Sequence, residues 1–373
     1  MHERGWLLRY WTGIPTHASH ARWIPRRAWN RAIRYAPVPL PVDRVTWNPV
    51  APVLNRLARR VLSPEAARRM EMAAYGLFDR RVARALPRAG GDVFVGYETA
   101  CLASFRAARR LGMKAVLDAA SLHHTAQDRL QAPAVSRALH ARICRMKDAE
   151  IELADVVLTV SELARRTYVD AGVPEEKVHA VGLGADLEIF SPGTGPRHPG
   201  FEFVYAGSVA RHKGIDVLLD AYARAAAGHA DARHSIIGGT GDAMALLDPP
   251  PAGVAYDGPA TQERLAARLR AADCLVLASR FDSYGMVVAE ALACGTPVIV
   301  SDQVGAAAAV EDNVNGWVVP AGDAGALAGR MAWCLTHRDA VRAMRGAAAS
   351  SATRLSWNVY RERVAQVLLT ACA

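Results

Sequence analysis

Ser279 to Asp302 reads SRFDSYGMVVAEALACGTPVIVSD, and its reading decides the fold. The run before it, Asp273 to Ala278 (DCLVLA), is short and continuously apolar, as a buried parallel strand is. Ser-Arg-Phe-Asp-Ser-Tyr-Gly breaks that run. A helix is expected from about Gly285, with Met286, Val287, Ala289, Leu292 and Ala293 suited to burial. Gly295-Thr-Pro297 ends it before a second apolar strand, Val298 to Val300. A strand, helix, strand unit follows, with a loop at the carboxyl end of its first strand, where open α/β sheets bind ligands. The free N–H groups of the helix's first turn make an anion, and a phosphate above all, the natural guest.

Two carboxylates, Asp282 and Glu290, stand eight positions apart around this turn. Asp282, in the loop, can face whatever hangs off the phosphate. Glu290, over a turn into the helix, can accept hydrogen bonds from a ribose diol. The plainer alternative makes Asp282 a helix-capping residue and Glu290 part of a solvated helix face.

The stretch resembles the signature of retaining glycosyltransferases of family 4, which have the two-domain GT-B fold. Ser283-Tyr284-Gly285 and Glu290-Ala-Leu-Ala-Cys-Gly-Thr-Pro-Val-Ile299 follow that pattern closely, with aspartate at Asp282 where the family has glutamate. Phe201 to Ala225 is similar to the family's strand, glycine loop at Gly207 and helix, with Ile215, Leu218, Leu219 and Tyr222 on the apolar face. Lys213 matches the family's diphosphate-binding lysine. Ser208 stands where the family has arginine, and Arg211 is the candidate substitute. His234 to Gly241, Gly253 to Gly258 and Asn315 to Pro320 resemble later elements in the right order. His123, with His124 next, follows the strand Lys114 to Leu117 and matches a histidine that family members place near the transferring sugar.

The resemblance implies an α/β chain of two Rossmann-like domains facing across a cleft. The expected boundaries are 1–192 for the acceptor side, 193–354 for the nucleotide-sugar side, and 355–373 for a closing helix packed back on the first. The Gly- and Pro-rich stretch 192–200 reads as the linker. Met1 to Trp11 resembles the end of a first helix and the family's second strand. The opening strand is therefore expected to be missing, through a misplaced start or a truncated copy, which would leave apolar edges on both its neighbours.

The implied activity is metal-independent transfer of a sugar, with retention, from a nucleotide diphosphate-sugar to a saccharide or lipid-linked acceptor in cell-surface polysaccharide or glycolipid synthesis. Asp282 and His123 are the expected catalytic residues. Gly207, Ser208, Arg211, Lys213, Ser283, Tyr284, Gly285, Met286, Val287 and Glu290 are expected to hold the donor, with no cofactor beyond that substrate and no metal. A truncated, inactive nucleotide-binding copy is the alternative.

Composition fits these expectations. A chain of 373 residues with 51% hydrophobic content supports two ordinary cores. Six scattered cysteines form no Cys-x-x-Cys pair, so the spacing indicates neither a disulfide framework nor a zinc site. No signal peptide and no apolar run long enough to span a membrane is present, and the expected location is the cytoplasm. Residues 1–150 hold 26 Lys+Arg against 11 Asp+Glu, net +15, and the remainder 19 against 25, net −6. Arg22 to Arg34, with Trp23 and Trp29, reads either as a cationic amphipathic segment on an anionic membrane's inner face or as a solvated face beside core tryptophans. The same basic patch suits nucleic acid in principle, but no recognised nucleic-acid module accompanies it.

Overall fold

The computed structural model describes residues 4–12, 40–48, 54–55, 58, 60–193 and 199–372. The apolar runs read from the sequence become strands of two parallel sheets. The first contains β3 (Val93–Tyr97), β4 (Lys114–Ala119), β5 (Val156–Thr159) and β6 (Val178–Ala180), in that spatial order. The second has the order β12-β11-β10-β7-β8-β9, from β7 (Phe201–Ala206), β8 (Ala232–Ile237), β9 (Val254–Gly258), β10 (Cys274–Leu277), β11 (Val298–Ser301) and β12 (Gly316–Val319). Every residue of β5, β7, β10 and β11 is buried, because helices cover both faces of these strands. The protein is thus an α/β chain of two Rossmann-like domains.

Helices alternate with the strands. The first domain carries α1 (Pro64–Ala89), α2 (Leu102–Arg110), α3 (His124–Leu130), α4 (Arg137–Leu153) and α5 (Glu162–Val169). The second carries α6 (Ile215–Ala225), α7 (Gln262–Ala271), α8 (Met286–Ala293), α9 (Ala324–Thr336), α10 (Arg338–Ala343) and α11 (Arg345–Ser351). Ile215, Leu218, Leu219 and Tyr222 of α6 are buried, as their spacing demands.

The order of the second sheet places the site. The chain runs outward from β7 through β8 to β9, then returns to the other side of β7 as β10. The loops that follow β7 and β10 therefore lie side by side at the switch point, where open α/β sheets form their binding crevice.

The chain ends by crossing back. In α12 (Trp357–Cys372), Tyr360, Val364, Val367 and Leu368 pack on Val116, Val156, Leu158 and Val181 around the first sheet. The crossover is tight: a Cβ on Gly184 would lie 2.2 Å from the Trp357 amide nitrogen.

Two short strands, β1 (Tyr10–Thr12) and β2 (Val45–Trp47), pair with each other rather than with the four-stranded sheet. Among the described residues β3 pairs only with β4, and Val95 and Tyr97 are 42% and 60% exposed. Trp11 packs beside Phe94, with ring centroids 6.4 Å apart. Arg22 to Arg34 and residues 194–198 of the Gly- and Pro-rich stretch lie outside the described residues. No described helix is long and apolar enough to cross a membrane.

Candidate functional site

Two glycines bring the β7 and β10 loops into contact. Gly214, at φ +69°, starts α6, and a Cβ there would stand 1.8 Å from the Ala278 carbonyl oxygen at the end of β10. Only glycine permits both that backbone conformation and that approach. Gly285, at φ +83°, starts α8, and a Cβ there would meet Val304 Cγ1 at 2.6 Å. The result is an ion pair between the residues just before Gly214 and in the β10 loop: Lys213 Nζ lies 2.6 Å from Asp282 Oδ2. Both side chains are about one-fifth exposed, at 21% and 17%.

A second clamp, which the sequence did not reveal, reinforces the first. Arg280 grips Asp216 with both guanidinium arms, at 2.7 and 2.9 Å, and donates to the Arg211 carbonyl at 2.7 Å. The paired arginine holds the Asp216 carboxyl below its usual range. Its planar fork fixes distance and direction together, so it ties the two loops to each other. The Arg211 amide is tied to Asp242 at 2.9 Å, while its side chain is exposed and forms no ion pair among the described residues.

The β7 loop presents backbone. Gly207 N–H donates to Ile237 O at 2.9 Å, and the Ser208 carbonyl accepts from the Tyr205 hydroxyl at 2.7 Å. On the other side, α8 begins without a side-chain cap, so its first-turn donors at Met286 and Val287 are not occupied by a capping side chain. Asp282 bonds the Tyr284 amide at 3.3 Å, which braces the turn before the helix. It is therefore a turn-bracing residue and an ion-pair partner at once.

Glu290 is not a fully solvated residue. It lies half-buried, and desolvation pushes its carboxyl up to about 7. No described side chain bonds it. A desolvated carboxylate without a partner is costly, and donors supplied by a ligand would relieve that cost.

The β10 loop also faces the first domain. Ser283 Oγ accepts from the Leu122 amide at 3.2 Å, and the Ser283 carbonyl accepts from Ser161 Oγ at 2.6 Å. The Tyr284 hydroxyl donates to Leu183 O at 2.7 Å. His123 and Asp282 are the chain neighbours of the two partners in the first contact.

His123 caps α3. Its Nδ1 accepts from the Thr125 amide at 3.3 Å and lies 2.8 Å from Thr125 Oγ1, while Tyr168 meets the ring edge-on at 5.1 Å. Burial and then the neighbouring His124 lower it to about 4, so the ring is neutral near pH 7. An Nδ1 that accepts from an amide leaves the proton of the neutral ring on Nε2. Beside it, Glu98 follows β3, accepts from Ser121 Oγ at 2.8 Å and pairs with Lys147 at 2.7 Å. Glu98 and Lys147 escaped the sequence reading; position at the carboxyl end of a parallel strand is the signal that finds Glu98.

Residues 188–351 match the family Glycosyl transferases group 1. The D-inositol 3-phosphate glycosyltransferase 1 of Catenulispora acidiphila is 30% identical over 250 residues, 60% of this chain and 59% of that protein. The chain thus aligns over less than two thirds of that relative's length. Among solved structures, sucrose-phosphate synthase from Thermosynechococcus elongatus superposes with a TM-score of 0.66 at 21% identity, over 81% of this chain and 79% of that one. HepE of Anabaena in complex with UDP-glucose superposes with a TM-score of 0.64 at 17% identity, over 79% and 82%. The fold of the chain is that of GT-B glycosyltransferases, and the match to the group 1 family falls on its second domain.

Proposed function

We propose that the protein transfers a sugar from a nucleotide diphosphate-sugar to a saccharide or lipid-linked acceptor, with retention at the anomeric carbon. The observation that carries this reading is the Lys213–Asp282 pair set at the uncapped start of α8, with the unpartnered Glu290 one turn into that helix. The bound diphosphate draws Lys213 from Asp282. Arg211 and the amides of Met286 and Val287 add to the positive field, and together these groups stabilise the charge that builds on the leaving diphosphate. Glu290 accepts from the ribose diol, with Gly207 and Ser208 lining the diphosphate path beside Tyr284 and Gly285.

Asp282, released from Lys213, faces the donor sugar, and Ser283 joins the two domains behind it. His123 lies across the cleft, neutral and fixed by its Thr125 contacts, and presents Nε2–H toward the transferring sugar. The fold shared with HepE bound to UDP-glucose supports a uridine nucleotide as the first donor to try. The acceptor is assigned to the first domain, whose excess of basic residues favours an anionic acceptor or one carried on an anionic membrane surface.

Release of nucleoside diphosphate from a panel of UDP-, GDP-, ADP- and TDP-sugars, with the product's anomeric configuration read by NMR, tests this reading. One donor turned over with retained configuration is expected. Turnover of none, with binding intact, favours the inactive nucleotide-binding copy.

A further inference from the structure

Beside the cleft site, next to His123, α3 and α4 each display donor atoms one helical turn apart. These are His124 and Asp128 on α3, and His140 and Cys144 on α4. Residues four apart share a helix face, so each pair projects to one side. The two pairs meet. His140 Nε2 lies 2.9 Å from Asp128 Oδ2 and 3.4 Å from Cys144 Sγ. His124, Asp128 and Cys144 each place a donor atom within 4.8 Å of the others. Bonds of about 2.0–2.3 Å to a tetrahedral ion put its ligand atoms roughly 3.3–3.8 Å apart, so His124, Asp128 and Cys144 close on an ion by side-chain rotation, and His140 joins them from its place beside Asp128 and Cys144.

We propose that His124, Asp128, His140 and Cys144 bind one divalent transition-metal ion of the zinc class in tetrahedral geometry. The chemistry of the donor set selects the ion. Two imidazoles, one thiolate and one carboxylate suit Zn²⁺, whereas Mg²⁺ and Ca²⁺ require a shell of oxygens that these four residues do not supply. Thiolate and carboxylate together balance the ion's charge. The four residues line a cavity of about 630 Å³ that also reaches Lys147 and Phe281, so an entry path is present. His140 is hydrogen-bonded to Asp128, and His124 to Asp148 at 2.6 Å. Asp148, one turn beyond Cys144 on α4, supplies the outer partner that orients the His124 ring.

Such an ion ties α3 to α4. The residue that caps α3 is His123, so the ion fixes the turn that carries His123 to the cleft. The usual Cys-x-x-Cys spacing is absent because each helix contributes its ligands one turn apart, which explains why the cysteine pattern alone indicates no zinc site.

Titration of the chelator-treated full chain with Co²⁺, followed by absorption spectroscopy, tests the proposal. One equivalent is expected to produce a thiolate-to-cobalt charge-transfer band and the intense visible bands of four-coordinate Co²⁺, both lost on adding Zn²⁺. Cys144→Ser is expected to abolish the charge-transfer band. Asp128→Asn and His140→Ala are each expected to weaken binding by more than about 10-fold, the lower bound for loss of an outer partner, and Asp128 lies at the surface, where substitution leaves the fold intact. Absence of tetrahedral bands at excess Co²⁺, or bands unchanged in both Cys144→Ser and Asp128→Asn, overturns the proposal.

Discussion

Lys213 and Asp282, separated by 69 positions in the chain, meet at 2.6 Å where the β7 and β10 loops lie side by side. Each therefore holds the other in place until a diphosphate competes for the lysine. Removing Lys213 does two things: it takes away a cation that the transition state needs, and it leaves Asp282 unpaired in a shielded site. Lys213→Ala is expected to lower kcat by about 10²–10³-fold, the scale of losing one charge-stabilising donor. The unpaired carboxylate is expected to cost about 2 kcal/mol of stability. Lys213→Ala/Asp282→Ala should regain most of that stability but none of the activity. Denaturation and turnover measured on all three variants separate the two effects.

Glu290 makes donor binding depend on pH. Its carboxyl sits at about 7, and only the ionised form accepts both hydrogens of a ribose diol. Uridine nucleotide affinity is expected to fall roughly tenfold from pH 8 to pH 6 through this group, and Glu290→Gln should remove that component. The sign for folding is opposite. A carboxyl raised in the folded state contributes stability below its unfolded value of 4.5 and loses it as pH rises through 7. Glu290→Gln is therefore expected to raise Tm at pH 8, a change that thermal scans at both pH values can read.

Two glycines of similar backbone offer a matched comparison. Gly214 and Gly228 have φ of +69° and +83°, but only at Gly214 would a Cβ strike another element, the Ala278 carbonyl. Gly228→Ala is expected to cost about 1 kcal/mol from conformation alone. Gly214→Ala is expected to cost more than about 2 kcal/mol, since it adds a clash to that strain. It should also weaken donor binding, because the β7 loop must withdraw from β10 and carry Lys213 with it.

Arg280 offers a test of positioning without contact to the donor. Arg280→Lys keeps the charge but loses the two-armed grip on Asp216. The expected result is a several-fold rise in KM for the donor with a smaller change in kcat. Equal loss in both would mean that Arg280 acts on the chemical step itself.

Buried histidines are expected to contribute to the acid limit of the fold. His123 and His234 are lowered to about 4 and about 3 from an ordinary 6.5, in both cases chiefly by burial. A depressed pKa contributes stability that is present above pH 6.5 and lost as pH falls toward 4. His234 lies between Phe203 and Tyr222 with neither ring nitrogen bonded, so His234→Phe is expected to flatten the acid limb of a Tm-against-pH curve.

Much of the second domain was legible because its signals are local. The apolar runs at Cys274–Leu277 and Val298–Ser301, and the glycines that end them, determine strand, loop and helix within a few residues. Asp282 and Glu290 stood out for the same reason. The environments of these acids were not legible. Pairing of Asp282 with Lys213 arises from the strand order β10-β7, which joins segments some 70 positions apart, and the desolvation of Glu290 arises from the packing of α8 against other helices. Arg280 and Asp216 were missed on the same ground, since neither carries a recognisable pattern on its own chain segment. Glu98 was hidden because the first domain's motifs are weaker, and the donors on α3 and α4 because their spacing is that of a helix face.

Calorimetric titration of the native chain and of Lys213→Ala with UDP, GDP, ADP and TDP tests the central claim most directly. The account predicts binding of one of these nucleotides to the native chain, weakened at least tenfold in Lys213→Ala while the variant's far-ultraviolet circular dichroism stays native. Equal affinity in both proteins, or binding of none of the four, would contradict it.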